Sequence, residues 1–118
     1  MKTRAFILTG AIVAGAVATG ALAAPAGKLS GTVGPGFTIS LKSGGKAVTT
    51  LKAGKYSLSV ADKSNIHNFH ITGPGVNKEV TTVPATGTKT ITLTLKKGTY
   101  NYVCDPHASA MKGSFTVK

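Results

Sequence analysis

Short stretches in which apolar and polar residues alternate make up most of the chain after residue 27. Within 37–42, each apolar side chain is followed by a polar one, and several later stretches repeat this period of two. Such a period, with one wet face, is typical of antiparallel strands, and clusters of Gly, Pro and Ser separate the stretches. The candidate strands, one of which we expect not to form, are 28–33, 37–42, 47–51, 55–61, 66–72, 77–82, 88–95, 99–104 and 112–117. Evenly spaced short strands, about seven to eight in number, predict an all-β fold of the sandwich type.

Two segments, 51–56 and 95–100, share the pattern L-K-x-G-x-Y. We interpret them as two tight turns of similar chemistry, each of which feeds a strand. By alternation Tyr100 lies on the same face as Tyr102 and Cys104, and the aromatic pair indicates that this face points inward. A tyrosine that braces a corner before a strand is a common feature of β-sandwiches.

The first residues predict export. Lys2 and Arg4 form a short basic opening, an apolar run rich in Ala and Gly follows, and the run ends in an A-x-A cleavage motif at 21–23. A membrane anchor is the alternative, but the small residues favour cleavage. We therefore expect a secretory signal peptide at 1–23 and one small domain at 24–118, either periplasmic or extracellular, with no membrane span after cleavage.

Charge gives a weaker indication of partners. After residue 23 the chain has twelve lysines, no arginine and three acids. The lysines are spread along the chain without interleaved aromatic residues, which argues against a nucleic-acid partner. The excess of positive charge suits either solubility or a partner protein with an acidic docking surface.

Cys104 is the single cysteine, and in an exported protein it has no internal disulfide partner. His107 and Met111 follow it within eight residues, in a loop that begins where Pro106 ends the strand pairing. Each of the three residues alone is uninformative, since a buried cysteine is usually a small hydrophobe. Their convergence in one loop at one end of the sandwich indicates a function.

A second histidine is expected at the same end. By alternation His67 shares a face with Phe69 and Ile71, whereas His70 shares the wet face with Asn68. A β-bulge between the two histidines would reverse this assignment. If the strand at 66–72 runs antiparallel to that at 99–104, His67 meets the cysteine loop. Two imidazoles and a thiolate with a weak axial thioether are the ligand set of a blue-copper electron-transfer site. The sequence therefore predicts one copper ion held by the following residues: His67, Cys104, His107 and Met111.

The chain resembles the small cupredoxins of the plastocyanin, pseudoazurin and amicyanin group. His67-Asn68 is similar to the family's first ligand histidine and the asparagine after it, and residues 102–111 resemble its Y-x-C-x-P-H…M loop. Three residues separate His107 from Met111, where plastocyanins and pseudoazurins have four and amicyanin has two. The resemblance implies a Greek-key, cupredoxin-like sandwich and a monomeric electron carrier for redox partner proteins. It also implies no enzymatic turnover and electron transfer through the solvent-facing edge of His107.

Several alternatives use the same residues. A copper carrier or storage protein would need the same four ligands. Zinc would accept Cys104, His67 and His107, but structural zinc requires four good ligands and Met111 is a poor one. A Cys-His nucleophile would have Asp105 as its only orienting acid and would leave Met111 idle. A c-type haem is excluded because C-x-x-C-H is absent, and a plain adhesion-type sandwich is the structural alternative.

Overall fold

The computed structural model describes residues 27–118, so the predicted signal peptide lies outside the described residues. No helix within 27–118 combines the length and the apolar character needed to cross a membrane. The described residues form ten short strands: β1 (Gly27–Val33), β2 (Ile39–Ser43), β3 (Lys46–Ala47), β4 (Thr50–Leu51), β5 (Gly54–Asp62), β6 (Phe69–Gly73), β7 (Val76–Thr81), β8 (Gly87–Leu95), β9 (Gly98–Val103) and β10 (Lys112–Val117).

These strands form two five-stranded sheets, which confirms the predicted all-β sandwich. The back sheet has the order β3-β2-β1-β5-β8, and the site sheet has the order β4-β10-β9-β6-β7. Most neighbouring strands are antiparallel, while β1 with β5 and β4 with β10 are parallel pairs. Several strands that are consecutive in the chain, such as β7 and β8, lie in different sheets, as in a Greek-key arrangement.

The predicted strand at 47–51 is instead two pairs of residues that belong to different sheets. Strand β3 pairs with β2 in the back sheet, and β4 pairs with β10 in the site sheet. Between them Val48 is buried and donates its N–H to the Leu41 carbonyl. The chain therefore crosses from one sheet to the other at this point, which alternation alone could not reveal.

Alternating side chains on each strand fill the space between the sheets. On β5 every second residue from Tyr56 to Asp62 is buried, and on β9 Tyr100 and Tyr102 are buried while the residue between them is exposed. This agrees with the predicted inward face of β9. A slip of one residue in register would expose this apolar face. Because burial of each large apolar side chain stabilises the folded state by about 1.5–3 kcal/mol, such a slip is strongly disfavoured.

Phe37 departs from the predicted pattern. It was expected on the apolar face with Ile39 and Leu41, but β2 begins at Ile39 and the Phe37 side chain is 60% exposed. Residues 34–38 form a turn that is closed by the hydrogen bond from Gly34 N–H to the Thr38 carbonyl. The three turn residues before Phe37, Gly-Pro-Gly, were the sequence signal for this turn.

The sandwich has two ends, which differ in composition. At the tyrosine end β5 and β9 begin, and the two repeated L-K-x-G-x-Y segments form corners. Tyr56 donates its hydroxyl hydrogen to the Lys52 carbonyl at 2.7 Å. Tyr100 donates to the Pro74 carbonyl at 2.9 Å and accepts the Lys96 N–H at 2.8 Å, which confirms the predicted bracing role. The other end, which we call the site end, contains the ends of β5 and β9 and the beginnings of β6 and β10.

Candidate metal centre

Three of the four predicted ligands meet at the site end. His67, Cys104 and His107 place one donor atom each within 4.8 Å of one another. The two Nδ1 atoms are 3.1 Å apart. The Cys104 Sγ atom lies 3.6 Å from the Nδ1 atom of His67 and 3.5 Å from that of His107.

His67 is held by the turn that connects β5 to β6. The Lys63 N–H donates to the Val33 carbonyl, and the Ser64 N–H donates to a carboxylate oxygen of the buried Asp62. The His67 ring is completely buried, and its Nε2 atom lies 2.9 Å from the Gly36 carbonyl oxygen. Because a carbonyl can only accept, Nε2 carries the hydrogen and Nδ1 presents a free lone pair to Cys104 and His107.

Gly34 allows the β1–β2 turn to approach this ring. Its φ angle is +74°, which is in the left-handed region that favours glycine. A Cβ atom at this position would lie 3.0 Å from Cδ2 of His67 and 3.1 Å from Cβ of Ser64. A residue without a side chain is therefore required both by the backbone and by the space next to the ring.

The ligand loop, residues 104–111, is closed on itself by backbone hydrogen bonds. A single 3-10 turn at Asp105–His107 follows β9, and the His107 N–H donates to the Cys104 carbonyl at 3.0 Å. The Met111 N–H returns to the His107 carbonyl at 2.8 Å, and the Cys104 N–H donates to the Met111 carbonyl at 3.0 Å. Both ends of the loop are thus fixed, and the Met111 side chain is fully buried beside the core.

Only one of the predicted ligands reaches the surface. The side chains of His67, Cys104 and Met111 are completely buried, whereas His107 is partly exposed. The exposed ring of Phe37 lies edge-on to both histidine rings, with centroid separations of 5.4 Å to His67 and 4.9 Å to His107.

The donor atoms fit a metal ion in size and in chemistry. A triangle with sides of 3.1, 3.5 and 3.6 Å has its centre about 2.0 Å from each corner. Zinc, the element next to copper in the periodic table, bonds to imidazole nitrogen and thiolate sulfur at about 2.0–2.3 Å. The triangle therefore has the size of a metal site. A soft thiolate with two imidazole nitrogens is a donor set that suits copper.

Asn68 was predicted on the wet face, and this prediction is wrong. Its side chain is completely buried, because it precedes β6 and is held by three hydrogen bonds. Its Oδ1 accepts the Asp105 N–H at 2.7 Å, and its Nδ2 donates at 2.8 Å to Glu79 and to the Asp105 carboxylate. Asn68 therefore connects the ligand loop to β7. These contacts join segments that are far apart in the sequence, so alternation cannot predict them.

His70 lies on the opposite side of β6 from His67, as predicted. The register of β6 with β7 shifts between Phe69 and His70, but the extra residue, Val80, lies on β7 and leaves the alternation of β6 intact. The His70 Nδ1 atom lies 2.9 Å from an Asp105 carboxylate oxygen, and its Nε2 atom lies 2.6 Å from the Asn77 side-chain oxygen.

Charge and hydrogen bonding shift the pKa values of this pair. The Asn77 hydrogen bond, the Asp105 hydrogen bond and the charges of Asp105 and Glu79 raise the pKa of His70, against the opposing effect of burial. Burial also opposes the shift at Asp105, where hydrogen bonds from Asn68 and His70 and the charge of His70 lower the pKa of the carboxyl group. Both shifts favour an imidazolium–carboxylate pair.

Comparison with known proteins gives a consistent result. The family model described as copper binding proteins, plastocyanin/azurin family, matches residues 37–118. No curated protein sequence matches at a significant level.

Solved structures share the fold. Reduced rusticyanin, a copper protein, is 25% identical, with 77% of this chain and 78% of that chain covered and a TM-score of 0.57. Rusticyanin from Thiobacillus ferrooxidans is 26% identical, with 77% and 76% covered and a TM-score of 0.52. A chain of a heme-copper terminal oxidase dimer is 22% identical, with 77% and 63% covered and a TM-score of 0.52, a likeness that concerns the fold alone.

Proposed function

The chain belongs to the plastocyanin/azurin family of copper-binding proteins, and we propose that it is an exported electron carrier with a type 1 copper site. The proposed ligands of its single copper ion are His67, Cys104, His107 and Met111. One observation carries the assignment: two histidine nitrogens and a cysteine sulfur lie 3.1–3.6 Å apart and surround a point of metal-bond distance.

Each ligand has a distinct task. Copper, when bound, supplies one-electron chemistry by alternating between Cu(I) and Cu(II). The Cys104 thiolate gives strong electronic coupling, and the two neutral imidazoles suit both oxidation states. The Met111 thioether is the weak axial donor, and the donor softness and dryness around it help to set the potential.

The frame around the ligands favours rapid electron exchange. The loop is closed by the hydrogen bond from Cys104 N–H to the Met111 carbonyl, and the His67 ring is anchored on the Gly36 carbonyl. Anchored ligands can hold nearly one geometry for both oxidation states, so little rearrangement opposes electron transfer. The partly exposed His107 edge is then the point of entry and exit, and no substrate is turned over.

Partner recognition follows from the distribution of charge. Of the three acids in the domain, Asp62 is buried, while Glu79 and Asp105 are hydrogen-bonded to Asn68 at the site end. The twelve lysines therefore dominate the remaining surface, which suits a redox partner with an acidic docking surface. Export is proposed from the predicted signal peptide at 1–23.

The absorption spectrum after addition of Cu(II) tests the proposal. We expect an intense blue or green colour from thiolate-to-copper charge transfer, and Cys104→Ser should leave at most a pale complex. A colourless wild-type protein at full copper occupancy would contradict the electron-carrier proposal and favour a zinc site or a copper carrier.

Electron self-exchange and copper release separate the two copper functions. An electron carrier should exchange electrons rapidly between its oxidised and reduced forms and retain copper in the presence of a chelator. A copper carrier should lose the ion readily to a chelator and need not cycle between oxidation states. Rapid loss of copper with slow self-exchange would replace the proposed function by the carrier function.

A further inference from the structure

We infer that His70 is a positioning residue that couples electron transfer at the copper site to the binding of one proton. Its imidazole ties the ligand loop to β7 and, when protonated on both nitrogens, favours the reduced form of the site. This inference rests on the proposed electron-carrier function.

The hydrogen bonds of His70 indicate a doubly protonated ring. The Nδ1 atom lies 2.9 and 3.2 Å from the two carboxylate oxygens of Asp105, and Nε2 lies 2.6 Å from the Asn77 side-chain oxygen. A neutral imidazole donates from only one nitrogen, so it could satisfy only one of these acceptors. The imidazolium form satisfies both, and it joins two segments that are separated in sequence.

The charges that face His70 also favour the imidazolium. On β7 its pairing partner is Glu79, and from the ligand loop it meets Asp105. On the other side β9 contributes the uncharged Val103, with Lys112 one strand further away on β10. Two carboxylates thus lie closer than the nearest lysine in this row of strands, and the pKa of His70 is raised above its ordinary value of 6.5.

Asp105 transmits the charge state of His70 to the metal ligands. It lies directly after Cys104 and two residues before His107, and it begins the turn that carries His107. Its backbone N–H donates to Asn68, and one carboxylate oxygen accepts from both Asn68 and His70. Loss of the proton from His70 removes one donor from this carboxylate and one positive charge from the surroundings of the ligand loop.

The coupling has a defined stoichiometry and sign. On reduction one electron arrives from the donor protein, and on protonation one proton arrives from solvent at the partly exposed ring of His70. A positive charge near the site stabilises the form with the lower metal charge, so protonated His70 raises the reduction potential. By reciprocity, reduction raises the pKa of His70 by the same free energy.

The reduction potential as a function of pH tests this coupling. Wild-type protein should show a potential that falls as the pH rises through the His70 pKa and is level on either side. His70→Gln, which is neutral, should give a level curve near the high-pH value of the wild type. His70→Lys, which keeps a positive charge, should give a level curve near the low-pH value.

Further outcomes distinguish coupling from a structural role. If both variants shift the potential equally and keep the wild-type slope, the inference is overturned, because the titrating group is then not His70. A second measurement needs no variant: the pKa of His70 from nuclear magnetic resonance of the diamagnetic Cu(I) protein should equal the upper break in the potential curve, and a mismatch overturns the coupling.

The visible spectrum separates this inference from the proposed function. If wild type and both variants keep the intense thiolate band but the potential does not depend on pH, the electron-carrier proposal stands and the role of His70 is rejected. If the wild-type protein shows no such band with copper bound, the proposed function itself fails.

Discussion

The two ends of the sandwich differ in the partners of one set of polar side chains, the corner tyrosines at one end and the predicted metal ligands at the other. At the tyrosine end the hydroxyls of Tyr56 and Tyr100 are hydrogen-bonded to backbone groups of neighbouring turns. At the site end the ligating atoms of His67, Cys104 and His107 instead face one another at 3.1–3.6 Å. The tyrosine hydroxyls are satisfied by backbone groups alone, whereas the donor atoms at the site end are placed so that they could hold a metal ion.

This difference predicts which property each end controls. A satisfied hydrogen bond contributes about 0.5–1.5 kcal/mol to folding, so changes at the tyrosine end should act on stability. A metal ion that binds only the folded site stabilises the folded state, so copper should raise the unfolding temperature, and changes at the site end should act on copper binding. The following predictions test this division, from the largest expected effect to the smallest.

The largest effect is expected for His67→Ala. Removal of the buried ring opens a coordination position, and the visible spectrum of the Cu(II) protein should be lost. The matched control is His70→Ala, three residues away on the other side of β6, which should leave the thiolate band nearly unchanged. The reverse result would show that His70 rather than His67 is the upstream ligand.

The sequence predicted the features that depend on residues close together in the chain. Alternation is a local property, and it identified the inward faces of β5 and β9 and the opposite orientations of His67 and His70. The spacing of Cys104, His107 and Met111 identified the loop because all three residues lie within eight positions.

Contacts between distant segments could not be predicted in this way. Asn68 is buried because Asp105 and Glu79 accept its hydrogen bonds, and neither partner can be found from alternation around residue 68. Phe37 lies against the two histidines because the β1–β2 turn folds over the site, although its position in the alternating run indicated a core residue. Both errors occur at the site end, where side chains are ordered around a site rather than by the pleat of a strand.

The next effect is expected for Gly34→Ala. An alanine at φ +74° costs about 1–3 kcal/mol. Its Cβ atom would also lie 3.0 Å from the His67 ring, so the copper spectrum should change together with the unfolding temperature. Gly36→Ala is the control, since a Cβ atom there meets nothing within 4 Å and the carbonyl that accepts from His67 is kept. Equal effects of the two variants would show that the β1–β2 turn does not position the ring.

Tyr100→Phe should reduce stability without changing copper. It removes the donor to the Pro74 carbonyl and the acceptor of the Lys96 N–H, and unsatisfied groups of this kind cost about 1–3 kcal/mol. Tyr56→Phe, which loses a single hydrogen bond, should cost less. Denaturant unfolding and the visible spectrum measure the two properties separately. A change in the copper spectrum of either variant would show that the tyrosine end is coupled to the site.

The smallest effect on stability is expected for Met111→Leu. Exchange of two side chains of similar volume usually costs less than about 1.5 kcal/mol, so the protein should fold and keep the thiolate band. The potential should nevertheless rise, because Cu(II) loses a weak donor and the surroundings become drier. Leu95→Met provides the reverse exchange at the tyrosine end, where Leu95 is equally buried, and it should leave the potential unchanged. If Met111→Leu instead loses its copper, the thioether is a strong ligand, and because thioethers favour Cu(I) the site end would then belong to a copper carrier.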